Sequence, residues 1–166
     1  MRQTVHPLVV GLFLLLASGF AHADDATIKV TRDLQQAGRL SIELQRPLVI
    51  LFSINDCEFC ELIRDVFLQP MQESSIYSQK IIIREIQADS FLKLGDFNGE
   101  KVGAGVIAHR YHADVSPTLV FLDGQGKELA EALVGITSVE AYDIKLEHAI
   151  TTAVNKLSGV PAEPQP

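Results

Sequence analysis

The 166-residue chain has only two cysteines, few basic residues and, after its first two dozen positions, no apolar run long enough to cross a membrane. Each shortage removes a class of function. Cys57 and Cys60 lie inside one tetrapeptide, so the chain is not a disulfide-dense scaffold of the kind common among small exported domains. A bridge closing so short a loop removes little chain entropy, which argues against a structural staple. Fourteen Lys and Arg against 21 Asp and Glu leave a net charge of −7, which argues against nucleic acid or an anionic membrane as partner. Lys101 and the glycines from Gly99 to Gly105 lack the strand-to-helix context and Gly-Lys-Ser/Thr ending of a phosphate-binding loop. With no cofactor fingerprint elsewhere, no cofactor is expected.

The early apolar run is the exception. Arg2 precedes Leu8–Leu16, and Ala21-His22-Ala23 supplies the small residues of a cleavage site, so residues 1–23 read as a signal peptide. Its removal takes Arg2 away and makes the remaining chain one unit more negative. No cysteine follows the site, which argues against a lipid anchor there. A periplasmic or secreted protein with no membrane anchor after cleavage is expected. Its organisation is one domain over 24–157, a disordered tail over 158–166, and a monomer.

Apolar periodicity then divides the chain. Val30, Leu34, Ala37, Leu40 and Leu44 recur at helical spacing between Ala26 and Gln45, and Pro47 ends the pattern. Leu48–Phe52 is a continuous apolar run suited to a strand buried on both faces. Asn55 and Asp56 offer helix-capping side chains, and Phe59, Ile63, Val66 and Phe67 trace a helical stripe ending at Pro70. Ile81–Ile86 predicts a second buried strand, and the Gly-containing stretch Ala88–Gly105 predicts a long loop. Val106–Ala113 suits a short helix. Thr118–Leu122, the turn Asp123–Gly126 and Glu128–Leu133 predict a hairpin. A last helix is predicted from Thr137, with Glu140 completing a capping box, and Ser158-Gly159 ends it. The fold class is α/β.

These elements place the cysteines on the first turn of a helix that follows a buried strand. Residues three apart on a turn are neighbours, so the two sulfurs reach bonding distance without dragging the backbone. The helix N-terminus favours a thiolate on the first of them, which is the nucleophilic form. The same spacing also serves zinc sites, so the pair is a redox couple or a metal clip. His109 and His112 have an i, i+3 spacing that suits two metal ligands, although surface histidines show it more often, and no metal site is assigned.

A strand, Cys57-Glu58-Phe59-Cys60 at a helix start, a second strand, Ser116-Pro117-Thr118 opening a hairpin, and a last helix occur in the order that resembles the thioredoxin superfamily. The resemblance covers Ala26 to Leu157 and implies a single thioredoxin-like domain, a central mixed sheet flanked by helices. It further implies that Cys57 is the attacking thiol and Cys60 the resolving thiol, with the Cys57–Cys60 disulfide as the only redox group. Pro117 would be cis and face the pair, the backbone of Ser116 would hydrogen-bond a bound substrate chain, and Phe59 would touch it. Asp56-Cys57-Glu58-Phe59-Cys60 and Thr118-Leu119-Val120-Phe121-Leu122-Asp123-Gly124 are similar to exported thioredoxin-related proteins. The implied partners are client proteins with cysteines or disulfides and a membrane thiol-disulfide electron donor.

The chain departs from thioredoxins proper. Glu58-Phe59 stands where they have Gly-Pro, and there is no tryptophan anywhere to precede the cysteines. Leu51 occupies the place of their buried acid, six residues before the first cysteine. Glu61 is the nearest substitute in sequence, against which stands its reading as a solvated helix-face acid. Asp56, Glu58 and Glu61 surround Cys57 with negative charge, and only Arg64 offers a nearby counter-charge. Like charges disfavour a second anion, so the expectation is a less depressed Cys57 pKa and a more reducing protein. A disulfide isomerase of the dimeric kind would need a further domain, and an oxidase conflicts with the acidic surroundings. The rivals outside catalysis are a redox-sensing partner-binding module and a metal carrier using Cys57, Cys60 and a histidine.

Overall fold

The computed structural model describes residues 27–160. The expected signal peptide at 1–23 and residues 161–166 of the expected tail lie outside the described residues. In chain order the elements are α1 (Leu34–Leu44), β1 (Leu48–Ser53), α2 (Glu58–Ile63), a π-helical turn (Arg64–Leu68), α3 (Gln69–Glu73) and α4 (Ser75–Ser78). They continue as β2 (Ile82–Gln87), β3 (Lys93–Gly95), β4 (Lys101–Gly103), α5 (Ala104–Arg110), β5 (Thr118–Leu122), β6 (Leu133–Val134) and α6 (Val139–Leu157).

The uninterrupted apolar run at Leu48–Phe52 explains the centre of the molecule. A strand apolar on both faces must be covered on both, and all six residues of β1 are buried. β1 pairs in parallel with β2 on one side and antiparallel with β5 on the other, giving a four-stranded mixed sheet of order β2-β1-β5-β6. Alternate residues then feed two cores. Val49, Leu51, Ile83 and Phe121 pack with Ile63 and Phe67 of the α2 segment and with Leu146 and Ile150 of α6. Leu48, Ile50, Phe52 and Val120 pack on the other face with Leu34, Ala37 and Ile107. The α1 layer comes unusually near the chain at one place: a Cβ on Gly38 would lie 2.3 Å from the carbonyl oxygen of Gly124, so a residue without a side chain is required there.

Several expected boundaries move. The first helix begins at Leu34, because Asp33 caps it by accepting the Gln36 N–H at 2.9 Å. Val30, expected on that helix, instead lies in an extended segment beside β2, where Thr31 N–H donates to the Glu85 carbonyl at 2.8 Å and Glu85 N–H to that of Lys29 at 3.0 Å. Pro70 does not end the second helix. It has no N–H to donate to the carbonyl four residues back, and its ring crowds that carbonyl. The preceding turn widens, with Gln69 N–H bonded to the Arg64 carbonyl, and the chain passes on into α3. Phe59 and Val66, expected within the apolar stripe, are exposed, while Ile63 and Phe67 are buried.

The stretch Ala88–Gly105 is not one long loop: β3 and β4 form a separate hairpin within it. Leu94 is buried, Gly95 N–H donates to the Arg32 carbonyl at 2.9 Å, and buried Asp96 binds Arg110 Nη1 at 2.9 Å. Three-residue strands carry too little alternation for sequence pattern to register. The helix expected at Val106–Ala113 runs over Ala104–Arg110. The returning strand expected at Glu128–Leu133 is reduced to an isolated Leu122–Glu128 bridge and β6. The last helix is capped by Ser138, which accepts from Ala141 N–H at 3.2 Å, so the Thr137–Glu140 capping box does not form.

Candidate active site

Register brings the expected site residues to one edge of the sheet. β1 and β2 are parallel, with Ser53 opposite Gln87, so both strands end there. β5 is antiparallel, with Thr118 opposite Phe52, so it begins there. The cysteine segment leaves β1 at this edge, and Ser116-Pro117 enters β5 at it. Pro117 is buried, Ser116 half-buried, and the peptide bond between them is cis. The Pro117 carbonyl accepts from Gly135 N–H at 2.8 Å, whereas among the described residues nothing hydrogen-bonds the Ser116 backbone.

The cysteines are joined, with an S–S distance of 2.09 Å and Cα atoms 5.2 Å apart. The helix cap is Cys57 itself, not Asn55 or Asp56: its sulfur accepts the Cys60 N–H at 3.2 Å, and its carbonyl accepts those of Cys60 and Glu61, each at 3.0 Å. Helix N–H groups aimed at this sulfur stabilise negative charge on it when the bridge is open. Cys60 is buried at 1% exposure and Cys57 is partly exposed. The pair therefore has one sulfur within a partner's reach and one shielded beneath it.

Asp56, Glu58 and Glu61 are all exposed around this turn, and Asp56 adopts a left-handed φ of 51°. Phe59, between the cysteines in sequence, is 59% exposed. Asn55 joins the site to the segment after β2: its backbone N–H and its side-chain amide both donate to Asp89 Oδ2, at 3.0 and 2.9 Å.

Arg64 does not turn toward the exposed acids. Its Nη2 and Nε bind the two carboxylate oxygens of Glu85 at 2.7 and 3.1 Å, and Ser53 Oγ donates to the same carboxylate. This hydrogen bond with Glu85 leads the causes that raise the Arg64 pKa, outweighing the opposing effect of burial. Glu85 is buried at 3% exposure and is the register partner of Leu51. Sequence reasoning passed over Glu85, although an ionisable residue inside the buried run Ile81–Ile86 was a visible signal. It also passed over Ser53 and Asp89, whose partners lie 32 and 34 residues away.

His109 and His112 do not share one helical face, because α5 ends at Arg110 and His112 lies beyond it with φ 53°. His109 Nδ1 meets Asp114 Oδ1 at 2.9 Å on the surface. Among the described residues no cluster of three or more metal-ligating side chains occurs, and no helix is long and apolar enough to cross a membrane.

Comparison with known structures agrees with this architecture. A thioredoxin from Malassezia sympodialis is 20% identical with a TM-score of 0.52, the match covering 77% of this chain and 91% of that one. A poplar thioredoxin h mutant is 15% identical with a TM-score of 0.53, covering 82% and 90%. A search of curated proteins finds no match. The family model for the thioredoxin-like domain matches residues 34–150. The fold and the joined Cys57–Cys60 pair support thiol-disulfide redox function in general. With the matched region spanning most of the chain from α1 into α6, the chain belongs to the thioredoxin-like domain family.

Proposed function

We propose that the protein is an exported thiol:disulfide oxidoreductase that reduces disulfides in client proteins. The observation that carries this reading is the partly exposed Cys57 capping a helix over buried Cys60, to which it is joined. In the reduced protein the Cys57 thiolate attacks one sulfur of a client disulfide. The client's S–S bond breaks, a mixed disulfide forms, and the other client sulfur leaves as a thiolate. Cys60, once deprotonated, attacks Cys57 Sγ, forms the Cys57–Cys60 bond and releases the second client thiolate. The client gains two electrons and the protein loses two, so a membrane thiol-disulfide donor is the class of partner that returns it to the dithiol.

Phe59 and the backbone of Ser116 are the proposed client contacts beside the cysteines. The reductive direction rests on charge. Asp56, Glu58 and Glu61 oppose a thiolate at Cys57, and the one cation expected to offset them is paired with Glu85. A less stabilised thiolate means a weaker oxidant.

The test is the equilibrium potential of the pair in a glutathione or dithiothreitol series, with Cys60→Ser used to trap mixed disulfides. A potential below about −200 mV is expected, and one near about −120 mV would make the protein an oxidant.

A further inference from the structure

The hairpin β3–β4 is tied down on its far side, and the short segment leading into it is tied down at the site. Asp89 is held by Asn55, Ser90 N–H donates to the Gln87 carbonyl at 3.1 Å, and Leu92 N–H donates to Ser90 Oγ at 3.3 Å. Leu94, two residues further on, is buried at 3%. Between these anchors Phe91 is held out at 103% exposure and Leu92 at 54%. A fixed turn that presents a whole aromatic ring to water forgoes its burial within the protein, and such surfaces mark interaction sites.

The turn follows the C-terminal end of β2, at the edge that carries the disulfide. Ile54 and Phe59 are exposed at the same edge, at 42% and 59%. The exposed charges among them are mostly negative: Asp56, Glu58, Glu61 and Asp89 against Lys93, with Arg64 engaged by Glu85. The chain as a whole carries −7.

We infer that the turn 89–92 is a client-docking element, in which Phe91 and Leu92, together with Ile54 and Phe59, take an apolar, positively charged polypeptide segment flanking the client's cysteine. This deepens the redox reading above and rests on it for the identity of the client. The apolar side chains supply affinity by burial. The acids select against negatively charged segments and speed the approach of positive ones.

Docking is tested apart from chemistry by fluorescence anisotropy on the oxidised protein. The probe is a fluorescein-labelled peptide with Leu, Phe and Arg around a serine in the cysteine's place. The wild type binds it, and Phe91→Ser raises Kd about tenfold while leaving the thermal unfolding midpoint unchanged. Ile144→Ser, which removes an equally apolar residue exposed at 72% on α6, leaves Kd unchanged. A peptide with Glu in place of Arg binds more weakly, and added salt narrows the difference. No binding by the wild type, equal binding by wild type and Phe91→Ser, or equal weakening by Ile144→Ser would each overturn the inference. Failure of the redox reading shows elsewhere, as absence of turnover of a small disulfide by the wild type, and the serine peptide does not depend on it.

Discussion

Leu51 and Glu85 are register partners on adjacent parallel strands, so an apolar side chain on β1 stands beside a buried carboxylate on β2. Both side chains point to the face covered by α2, from which Arg64 reaches the carboxylate with two nitrogens. The pair fastens the helix that carries Cys60 to the strand next to the one that leads into Cys57. Glu85→Gln or Arg64→Met alone leaves a charge without its partner and should cost about 3 kcal/mol in urea unfolding. The double variant should regain most of that loss. If the single and double losses simply add, the two side chains do not act as a pair.

The acids around Cys57 can be tested one at a time. Glu58→Lys replaces a repelling charge with an attracting one on the first turn of α2. Alkylation of Cys57 in the reduced protein should then reach half its maximal rate at a pH about half a unit lower, and the reduction potential should become less negative. An unchanged pH profile would show that side-chain charge at this turn does not tune the sulfur.

Asp96 anchors the hairpin that follows the Phe91 turn. The hydrogen bond from Arg110 is the leading cause of its lowered pKa, followed by the opposing effect of burial and then by the backbone N–H groups of Glu100 and Asn98. A carboxylate whose folded pKa lies below its unfolded value contributes stability above the unfolded value, near 4, and loses it as pH falls through the folded one. The difference in unfolding midpoint between wild type and Asp96→Asn should therefore be full at neutral pH and shrink in acid. A difference constant with pH would assign the loss to shape rather than charge.

The three tyrosines give an alkaline signature. A hydrogen bond to Glu147 raises Tyr77 to about 12, burial raises Tyr111 to about 12, and burial also raises Tyr142. Each folded pKa exceeds the unfolded value near 10, so stability from this source is complete below pH 10 and is lost as pH climbs toward the folded values. With no tryptophan in the chain, near-ultraviolet difference absorbance reads tyrosine ionisation directly. The native protein should show no tyrosinate step near pH 10, and denatured protein should show all of it there.

Where pattern is local, the sequence was a sound guide. The apolar runs at Leu48–Phe52 and Ile81–Ile86 became β1 and β2 with boundaries shifted by a residue, since a strand buried on both faces has one composition wherever it sits. The nearness of the Cys57 and Cys60 sulfurs was equally legible, because three residues of helix bring them together, whereas spacing alone left a disulfide or a metal clip open and the structure shows the disulfide. Capping was read less well. Asn55, Asp56 and Thr137 are as suitable chemically as the residues that do the work, and tertiary packing chose among neighbours.

What the sequence determined by itself, through short-range periodicity and spacing, was the order of local elements and a Cys-x-x-Cys at a helix start; the fold family came from the resemblance those motifs carry. Tertiary structure alone decided that Asp89 would hold Asn55, that Arg64 would turn from the exposed acids to Glu85, and that Phe91 would stand exposed in the turn after β2. The two contacts join residues 34 and 21 positions apart. Apolar patterning states which side chains leave water, and only strand register states which distant ones meet.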